Sequence, residues 1–145
     1  MHFTITSLNT CGYHTHLSNL LNDFDIMSSN ILCLQEVNVK VKDSDPFTEK
    51  YNYFYIHGIH GLLNLTRKEL KTTKIHEYIT QNVEVMTMIV TYLNNAINIT
   101  NIYVRPKCDI NDIKSALNYI LNNIDPNNTL YIVGDFNTNM QTMRK

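Results

Sequence analysis

The first third of the chain shows a strand, a helix and a second strand in its hydrophobic pattern. Residues 2–8 alternate between apolar and polar side chains, which predicts a first β-strand, and residues 9–12 have the composition of a turn. Four apolar residues at helical spacing predict a short amphipathic helix: Leu17, Leu20, Leu21 and Phe24. Residues 31–37 form a nearly continuous apolar run, typical of a strand buried on both faces. The order indicates a β-α-β crossover.

From residue 51 onward the pattern changes to short strands separated by turns. Five predicted strands resemble an antiparallel meander: residues 51–57, 61–67, 73–80, 83–93 and 96–104. Asp109 is a good N-cap for a helix with its apolar residues at helical spacing: Ile113, Leu117, Ile120 and Leu121. One more buried strand, at 129–133, leads into Gly134-Asp135-Phe136-Asn137. This order predicts an α/β sandwich, in which two sheets carry helices on their outer faces.

Length and composition fit one globular domain, because 145 residues with 43% hydrophobic side chains can bury a continuous core. The net charge of −1 gives no case for a protein that coats DNA through a basic face, but it suits a small site acting on a phosphoester. Three cysteines without CxxC spacing favour a reduced, intracellular protein. No apolar segment approaches the ~18 residues of a membrane-spanning helix, so we expect no membrane partner.

Polar side chains follow three of the predicted inner strands: Asn9, Glu36, Asp135 and Asn137. Sites in α/β sheets gather at such strand ends, where side chains are held rigidly and still reach solvent. Carboxylates at Glu36 and Asp135 are the hard oxygen ligands that Mg²⁺ prefers, with water and substrate phosphate completing its shell. Two alternatives stay open at this point. Glu36 could only mark where its strand surfaces, and residues 134–137 could be a strand-ending turn.

Five segments, in order along the chain, resemble motifs of the endonuclease/exonuclease/phosphatase superfamily. They are Ser7–Gly12 (N-x-x-G), Ile31–Glu36 (D-I-x-x-L-Q-E, with Asn30 where Asp is common), Gly61–Lys68 (G-x-A-I-L-x-R), Asn101–Pro106 (N-x-Y-x-P) and Ile132–Asn137 (G-D-F-N). The Tyr-x-x-Pro segment at residues 103–106, followed by a capped helix, is most similar to the nuclease domains of non-LTR retrotransposons and their relatives. The resemblance implies a four-layer α/β sandwich of two mixed β-sheets with outer helices, and metal-dependent phosphodiester hydrolysis, with nucleic acid as substrate.

The resemblance also implies a role for each matching residue. Glu36 would ligate Mg²⁺ or Mn²⁺, and Asp135 would position or deprotonate the attacking water beside the metal. Asn137 would hold a phosphate oxygen, Asn9 would support the metal-water network, and Tyr103 would contact the scissile phosphate. A packed strand-edge tyrosine is the alternative for Tyr103. The chemistry is metal-assisted hydrolysis with in-line attack by a fixed water.

The family pattern ends with an Asp-His pair, and no histidine follows Asn137 in this sequence. We therefore expect a single, C-terminally incomplete domain over residues 1–145, which lacks the last strands and a general acid/base worth about 10²–10⁴ in rate. An uncovered sheet would favour a protein partner or self-association. Reduced activity, an inactive pseudoenzyme or interaction module, and a gene fragment are the alternatives. His57 and His60 are expected to be loop histidines on a polar surface.

Overall fold

The computed structural model describes residues 2–42 and 44–137, which form two four-stranded sheets. The first sheet contains four strands: β1 (Ile5–Asn9), β2 (Ile31–Gln35), β3 (Tyr51–Ile56) and β4 (Leu62–Arg67). Their spatial order is β1-β2-β4-β3, with β1 parallel to β2 and the other pairs antiparallel. Two helices, α1 (Tyr13–Asn22) and α2 (Phe24–Ser28), connect β1 to β2, because parallel neighbours need a crossover. A 3₁₀ helix (Pro46–Glu49) precedes β3.

The second sheet contains β5 (Lys71–Ile79), β6 (Val83–Tyr92), β7 (Asn95–Val104) and β8 (Thr129–Asp135) in the spatial order of the chain. Antiparallel ladders join the first three, and β8 lies parallel to β7 after the helix α3 (Ile110–Asn122). Asp109 caps α3 as predicted, because its carboxylate accepts a hydrogen bond from the backbone N–H of Asn111 at 2.8 Å. Both sheets are therefore mixed. In the described part of the chain, no helix is long and apolar enough to cross a bilayer.

The predicted first helix is in fact two helices, and Asp23 is the cause. Asp23 has an extended backbone (φ −87°, ψ 117°), which ends α1, and its carboxylate accepts from the N–H of Ile26 at 3.0 Å, which starts α2. Leu20 is buried as the helical spacing predicts, but Phe24 lies beyond the break and is 82% exposed. Including Phe24 in the apolar face was wrong, because α1 ends at Asn22 and its helical repeat of apolar residues does not continue to Phe24.

The predicted meander is divided between the two sheets. β4 is already paired on one edge with β2 and on the other with β3, so it has no free edge for the next strand. After β4 the chain therefore crosses over, and β5 to β7 form their own antiparallel unit in the second sheet. Placing five strands in one meander was wrong for this reason: the pairings β3–β4, β5–β6 and β6–β7 are antiparallel as predicted, but β4 does not pair with β5.

Three apolar layers give the molecule four layers of secondary structure. Alternate residues of β2 face opposite ways: Leu32 and Leu34 pack beneath α1, while Ile31 and Cys33 pack against the second sheet. A third cluster, which includes Ile120, fills the space between the second sheet and α3. The layers are helix, sheet, sheet, helix, as the predicted sandwich requires. The two inner faces meet at the strand ends that carry the predicted site.

Candidate active site

The candidate site lies where the inner faces of the two sheets meet at the carboxyl ends of their parallel strands. β1 and β2 end together, with Asn9 opposite Gln35, and β7 and β8 end together, with Tyr103 opposite Asp135. A hydrogen bond of 2.8 Å from Asn9 Nδ2 to Asp135 Oδ2 joins the two pairs across the sandwich. Residues separated by 126 positions in sequence therefore meet at a single site.

Both oxygens of Asp135 are held in place. Oδ2 accepts from Asn9, and Oδ1 accepts from the backbone N–H of Asn137 at 3.0 Å. Asn9 is oriented in turn, because its Oδ1 accepts from the backbone N–H of Cys11 at 3.0 Å. Asp135 is the last residue of β8 and is paired with Tyr103, and its contact with the N–H of Asn137 forms the Asx-type turn that ends the strand. Each carboxylate oxygen keeps lone-pair capacity for a further contact.

Glu36 directly follows β2 and has a left-handed backbone (φ 50°), uncommon for a residue with a side chain. Its carbonyl oxygen accepts from the N–H of Gly12 at 2.8 Å and from the hydroxyl of Thr10 at 3.1 Å. These contacts tie the end of β2 to the turn after β1. Backbone conformations of this kind concentrate at functional sites. Glu36 does mark the place where its strand surfaces, and the surface it reaches is the candidate site.

The hydroxyl of Tyr103 interacts with carboxylates that come from both sheets. The residue is 1% exposed, and its pKa is raised first by burial, then by hydrogen bonding to Glu36 and by the negative charges of Glu36, Asp135 and Glu84. Its hydroxyl is thus a neutral donor surrounded by carboxylates at neutral pH. Glu36, Asp135 and Glu84 therefore each lie within electrostatic range of this hydroxyl. Tyr103 is a packed strand tyrosine and a member of the site at the same time.

The close approach of β7 and β8 requires a glycine at position 134. Gly134 has a φ of 147°, and a Cβ there would lie 1.9 Å from the carbonyl oxygen of Ile102. Beyond β8, Asn137 has a left-handed backbone (φ 44°), and its Nδ2 donates to the carbonyl oxygen of Val104 at 2.8 Å. Asn137 is exposed beside the end of β7, and among residues 2–42 and 44–137 no hydrogen bond reaches its Oδ1.

A buried polar layer lies beneath the site, between the sheets. Asn101 accepts from Gln35 Nε2 at 2.7 Å and donates to Asn64 Oδ1 at 2.8 Å and to the carbonyl oxygen of Leu34 at 3.1 Å. All of these residues are at most 1% exposed. The sequence motifs contain Gln35 and Asn101, and the structure shows that these two side chains connect β2, which leads into Glu36, with β7, which carries Tyr103. Polar residues at strand positions that face the core were the signal for this layer.

Two loop histidines that the sequence placed on the surface behave differently. His57 is exposed, and its Nδ1 lies 3.0 Å from the hydroxyl of Tyr55, which matches the expectation. His60 is half-buried, and its ring packs perpendicular to the ring of Tyr103, with 5.4 Å between centroids and 86° between planes. The expectation was therefore wrong for His60, because spacing along the chain cannot show which side of the loop faces the site.

Glu84 is a second residue that sequence reasoning missed. It is fully buried and lies opposite Tyr103 in the ladder between β6 and β7. Its position in the strand is in phase with Met86 and Met88, which face the first sheet. The sequence signal for Glu84 was a carboxylate on the same face of the strand as two core methionines. A charged side chain is buried only where polar partners bind it, so such a position indicates a polar site.

Glu36 and Asp135 are the side chains that could hold a divalent cation. Mg²⁺ takes one or two carboxylates, keeps several waters and binds substrate phosphate directly. Two carboxylates close to one hydroxyl, with amide side chains beside them, provide this set of hard oxygen donors. Within the described ranges, no group of three or more His, Cys, Asp and Glu residues is placed to hold a metal. The residues present fit Mg²⁺ or Mn²⁺ better than a softer metal.

Comparison with known proteins identifies the family to which the chain belongs. A sequence model of the Endonuclease/Exonuclease/phosphatase family matches residues 6–143. The chain belongs to this family. The resemblance drawn from five motifs is thus confirmed, and so is the fold of two mixed sheets with outer helices. No curated protein sequence matches the chain.

Solved structures similar to this Endonuclease/Exonuclease/phosphatase family member share its fold at low identity. They include the endonuclease domain of TRAS1, a telomere-specific non-LTR retrotransposon (14% identity, TM-score 0.72), and D. rerio TDP2 complexed with a single-strand DNA product (13%, 0.71). A family protein from Leptotrichia buccalis is also similar (14%, 0.71). These matches cover 96%, 98% and 94% of this chain, but 62%, 63% and 69% of the solved chains. A single, C-terminally incomplete domain over residues 1–145 stays a prediction.

Proposed function

We propose that this protein is a metal-dependent phosphodiester hydrolase of the nuclease type. The observation that carries the proposal is the hydrogen bond between Asn9 and Asp135, because it brings the ends of both sheets to one site. Tyr103 and Glu36 complete the same site through the tyrosine hydroxyl. Family membership supports this broad reaction class, and the arrangement of carboxylate, amide and hydroxyl groups suits hydrolysis of a phosphoester.

Each residue has a task that its contacts support. Glu36, together with Asp135, would hold the divalent cation, which when bound would supply positive charge for the developing negative charge on phosphate. Asp135 orients the attacking water and accepts its proton, while Asn9 keeps the Asp135 carboxylate in position. The single donor of the Tyr103 hydroxyl, which hydrogen-bonds to Glu36 without substrate, would turn to the phosphoester when substrate binds. The remaining amide N–H of Asn137 binds a phosphate oxygen.

Nucleic acid is the substrate class that we propose. Two observations support it: the structurally similar TDP2 is complexed with a single-strand DNA product, and the similar TRAS1 domain is an endonuclease. The net charge of −1 supplies no long-range attraction for a polyanion. We therefore expect the site itself, rather than an extended basic surface, to provide recognition, and we expect only a weak salt dependence of binding.

The test is Mg²⁺-dependent cleavage of substrates that differ in the sugar or in the number of ester groups on the phosphate. Fluorescent single-stranded DNA and RNA oligonucleotides, bis(p-nitrophenyl) phosphate and the monoester p-nitrophenyl phosphate are compared. We expect diester cleavage that EDTA abolishes and that Asp135→Asn lowers by about 10²-fold or more. Asp25→Asn, at an exposed carboxylate of α2, is the matched control and should cleave like the wild type.

Two outcomes would contradict the proposal. Cleavage of the monoester alone would replace diester hydrolysis with phosphatase activity. Mg²⁺ binding by calorimetry without turnover on any substrate would identify a pseudoenzyme on the same fold.

A further inference from the structure

A buried carboxylate holds the loop that connects β3 to β4, residues 57–61. Glu84, on β6, is fully buried, and its two oxygens accept separately: Oε2 from the backbone N–H of His60 at 3.3 Å and Oε1 from that of Gly61 at 3.1 Å. Among the described residues, no Lys or Arg forms an ion pair with it. Burying a carboxylate is unfavourable unless hydrogen bonds replace the lost water, so the two loop N–H groups offset part of this cost.

The sequence of the 57–61 loop accommodates this side chain. Gly58 packs against the carboxylate so closely that a Cβ at position 58 would lie 2.3 Å from Glu84 Oε1. Gly61 has a left-handed backbone (φ 88°) at the point where its N–H meets Glu84. Two of the four glycines of the chain therefore lie in this loop, where they allow the backbone to close around a side chain from β6.

The opposite side of the 57–61 loop holds the backbone that follows Glu36. The carbonyl oxygens of Gly61 and His60 accept from the N–H groups of Val37 and Asn38, at 3.3 and 2.6 Å. Gly61 thus donates to the buried carboxylate with its N–H and accepts from the residue after Glu36 with its carbonyl oxygen. One loop residue therefore connects the carboxylate of β6 to the candidate metal ligand.

Glu36 needs support on this side because its backbone is left-handed (φ 50°), a conformation that costs free energy in a residue with a side chain. Gly12 and Thr10 hold its carbonyl oxygen from the turn after β1. The 57–61 loop holds the next two residues from the side of β4. A metal ligand must stay within about 0.5 Å of its productive position, so both supports bear on cation binding.

We propose that Glu84 is a positioning residue for the candidate metal ligand Glu36 and acts through the backbone of the 57–61 loop. It sets where the loop lies, and the loop fixes the peptide that follows Glu36. This inference rests on the proposed function, because it assumes that Glu36 binds the cation. It adds a residue that none of the five sequence motifs contains.

Magnesium binding to the full chain, measured by calorimetry without substrate, tests the proposal. Glu84→Gln keeps the size of the side chain but replaces one accepting oxygen with an NH₂ group, which cannot accept from a loop N–H. We expect the Kd for Mg²⁺ to rise at least about tenfold, the usual loss when a group that orients a metal ligand is altered. Gly58→Ala displaces the same carboxylate by a different route and should raise the Kd by a similar factor, which keeps the test open if Glu84→Gln does not fold.

Thr87→Val is the matched control, because it removes a buried hydrogen bond on the opposite face of the same strand. The hydroxyls of Thr87 and Thr100 lie 2.7 Å apart, and both residues are fully buried. Thr87→Val should lower stability in urea unfolding but leave the Kd for Mg²⁺ within about twofold of the wild type. Equal rises in the Kd for Thr87→Val and Glu84→Gln would overturn the proposal, since they indicate a general loss of stability.

Hydrogen exchange of single backbone amides follows the proposed path directly and needs no metal. In Glu84→Gln, the amides of Val37 and Asn38 should exchange at least about tenfold faster, although Glu84 contacts neither, while Thr87→Val should leave both rates unchanged. Unchanged exchange of both amides in Glu84→Gln would overturn the proposal.

The wild-type titration separates failure of this inference from failure of the proposed function. If the wild type binds Mg²⁺ and Glu84→Gln binds it equally well, the inference is wrong and the proposed function stands. If the wild type binds no Mg²⁺, both are wrong.

Discussion

Replacing Asn101 by alanine should weaken the contact between the two sheets. The side chain makes three buried hydrogen bonds, with Gln35, Asn64 and the carbonyl of Leu34. After Asn101→Ala, Asn64 Oδ1 has no partner, which costs about 1–3 kcal/mol, and the two other bonds are worth about 0.5–1.5 kcal/mol each. We expect a loss of about 3–4 kcal/mol, a large share of the ~5–15 kcal/mol that stabilises a domain.

Urea unfolding followed by tyrosine fluorescence and far-ultraviolet circular dichroism measures this loss, since the chain has nine Tyr and no Trp. With a slope of about 2 kcal/mol/M, the midpoint should fall by about 1.5–2 M. Asn118→Ala, at an exposed position of α3, is the control and should change stability by about 0.5 kcal/mol or less. A double-mutant cycle with Gln35→Ala should give a coupling of about 0.5–3 kcal/mol. Wild-type stability of Asn101→Ala, or zero coupling, would refute the reasoning.

Three further predictions follow from the same contacts. Gly134→Ala should destabilise by more than about 3 kcal/mol in urea unfolding, because its Cβ would collide with the neighbouring strand; a smaller loss would mean that the strands separate easily. Tyr103→Phe keeps the ring in the core but removes the donor to Glu36, so kcat/KM should fall at least about tenfold while stability changes by about 1 kcal/mol or less. Burial raises the pKa of Cys33 to about 12, so a disulfide reagent at neutral pH should modify exposed Cys11 and reach Cys33 only on unfolding; equal rates for both would contradict the packing.

Hydrophobic periodicity predicts the strands of this protein well, because burial on one or both faces leaves a local pattern. Residues 31–35 are all buried, as their continuous apolar run indicates. The assignment of strands to sheets is not local in this way. Strand β5 has the same period whichever sheet it joins, and it joins the second because both edges of β4 are occupied.

The candidate site could be predicted in part for the same reason. Asn9, Glu36 and Asp135 follow apolar strands, so their place at strand ends is visible in sequence, and motif order links them to a family. The backbone of His60, in the loop between β3 and β4, donates to Glu84, which lies 24 residues away on β6. No spacing rule connects these two residues. Contacts of this kind appear only when the tertiary structure is known.

The most direct test of the account is Mg²⁺-dependent hydrolysis of bis(p-nitrophenyl) phosphate by the wild type and Glu36→Gln. Glu69→Gln makes the same chemical change at an exposed carboxylate beyond the opposite end of β4 and serves as the control. If Glu36 holds the cation of a phosphoesterase site, the wild type and Glu69→Gln turn over with Mg²⁺ and stop with EDTA, while Glu36→Gln falls to background. Equal rates in all three proteins, with or without Mg²⁺, would contradict the account.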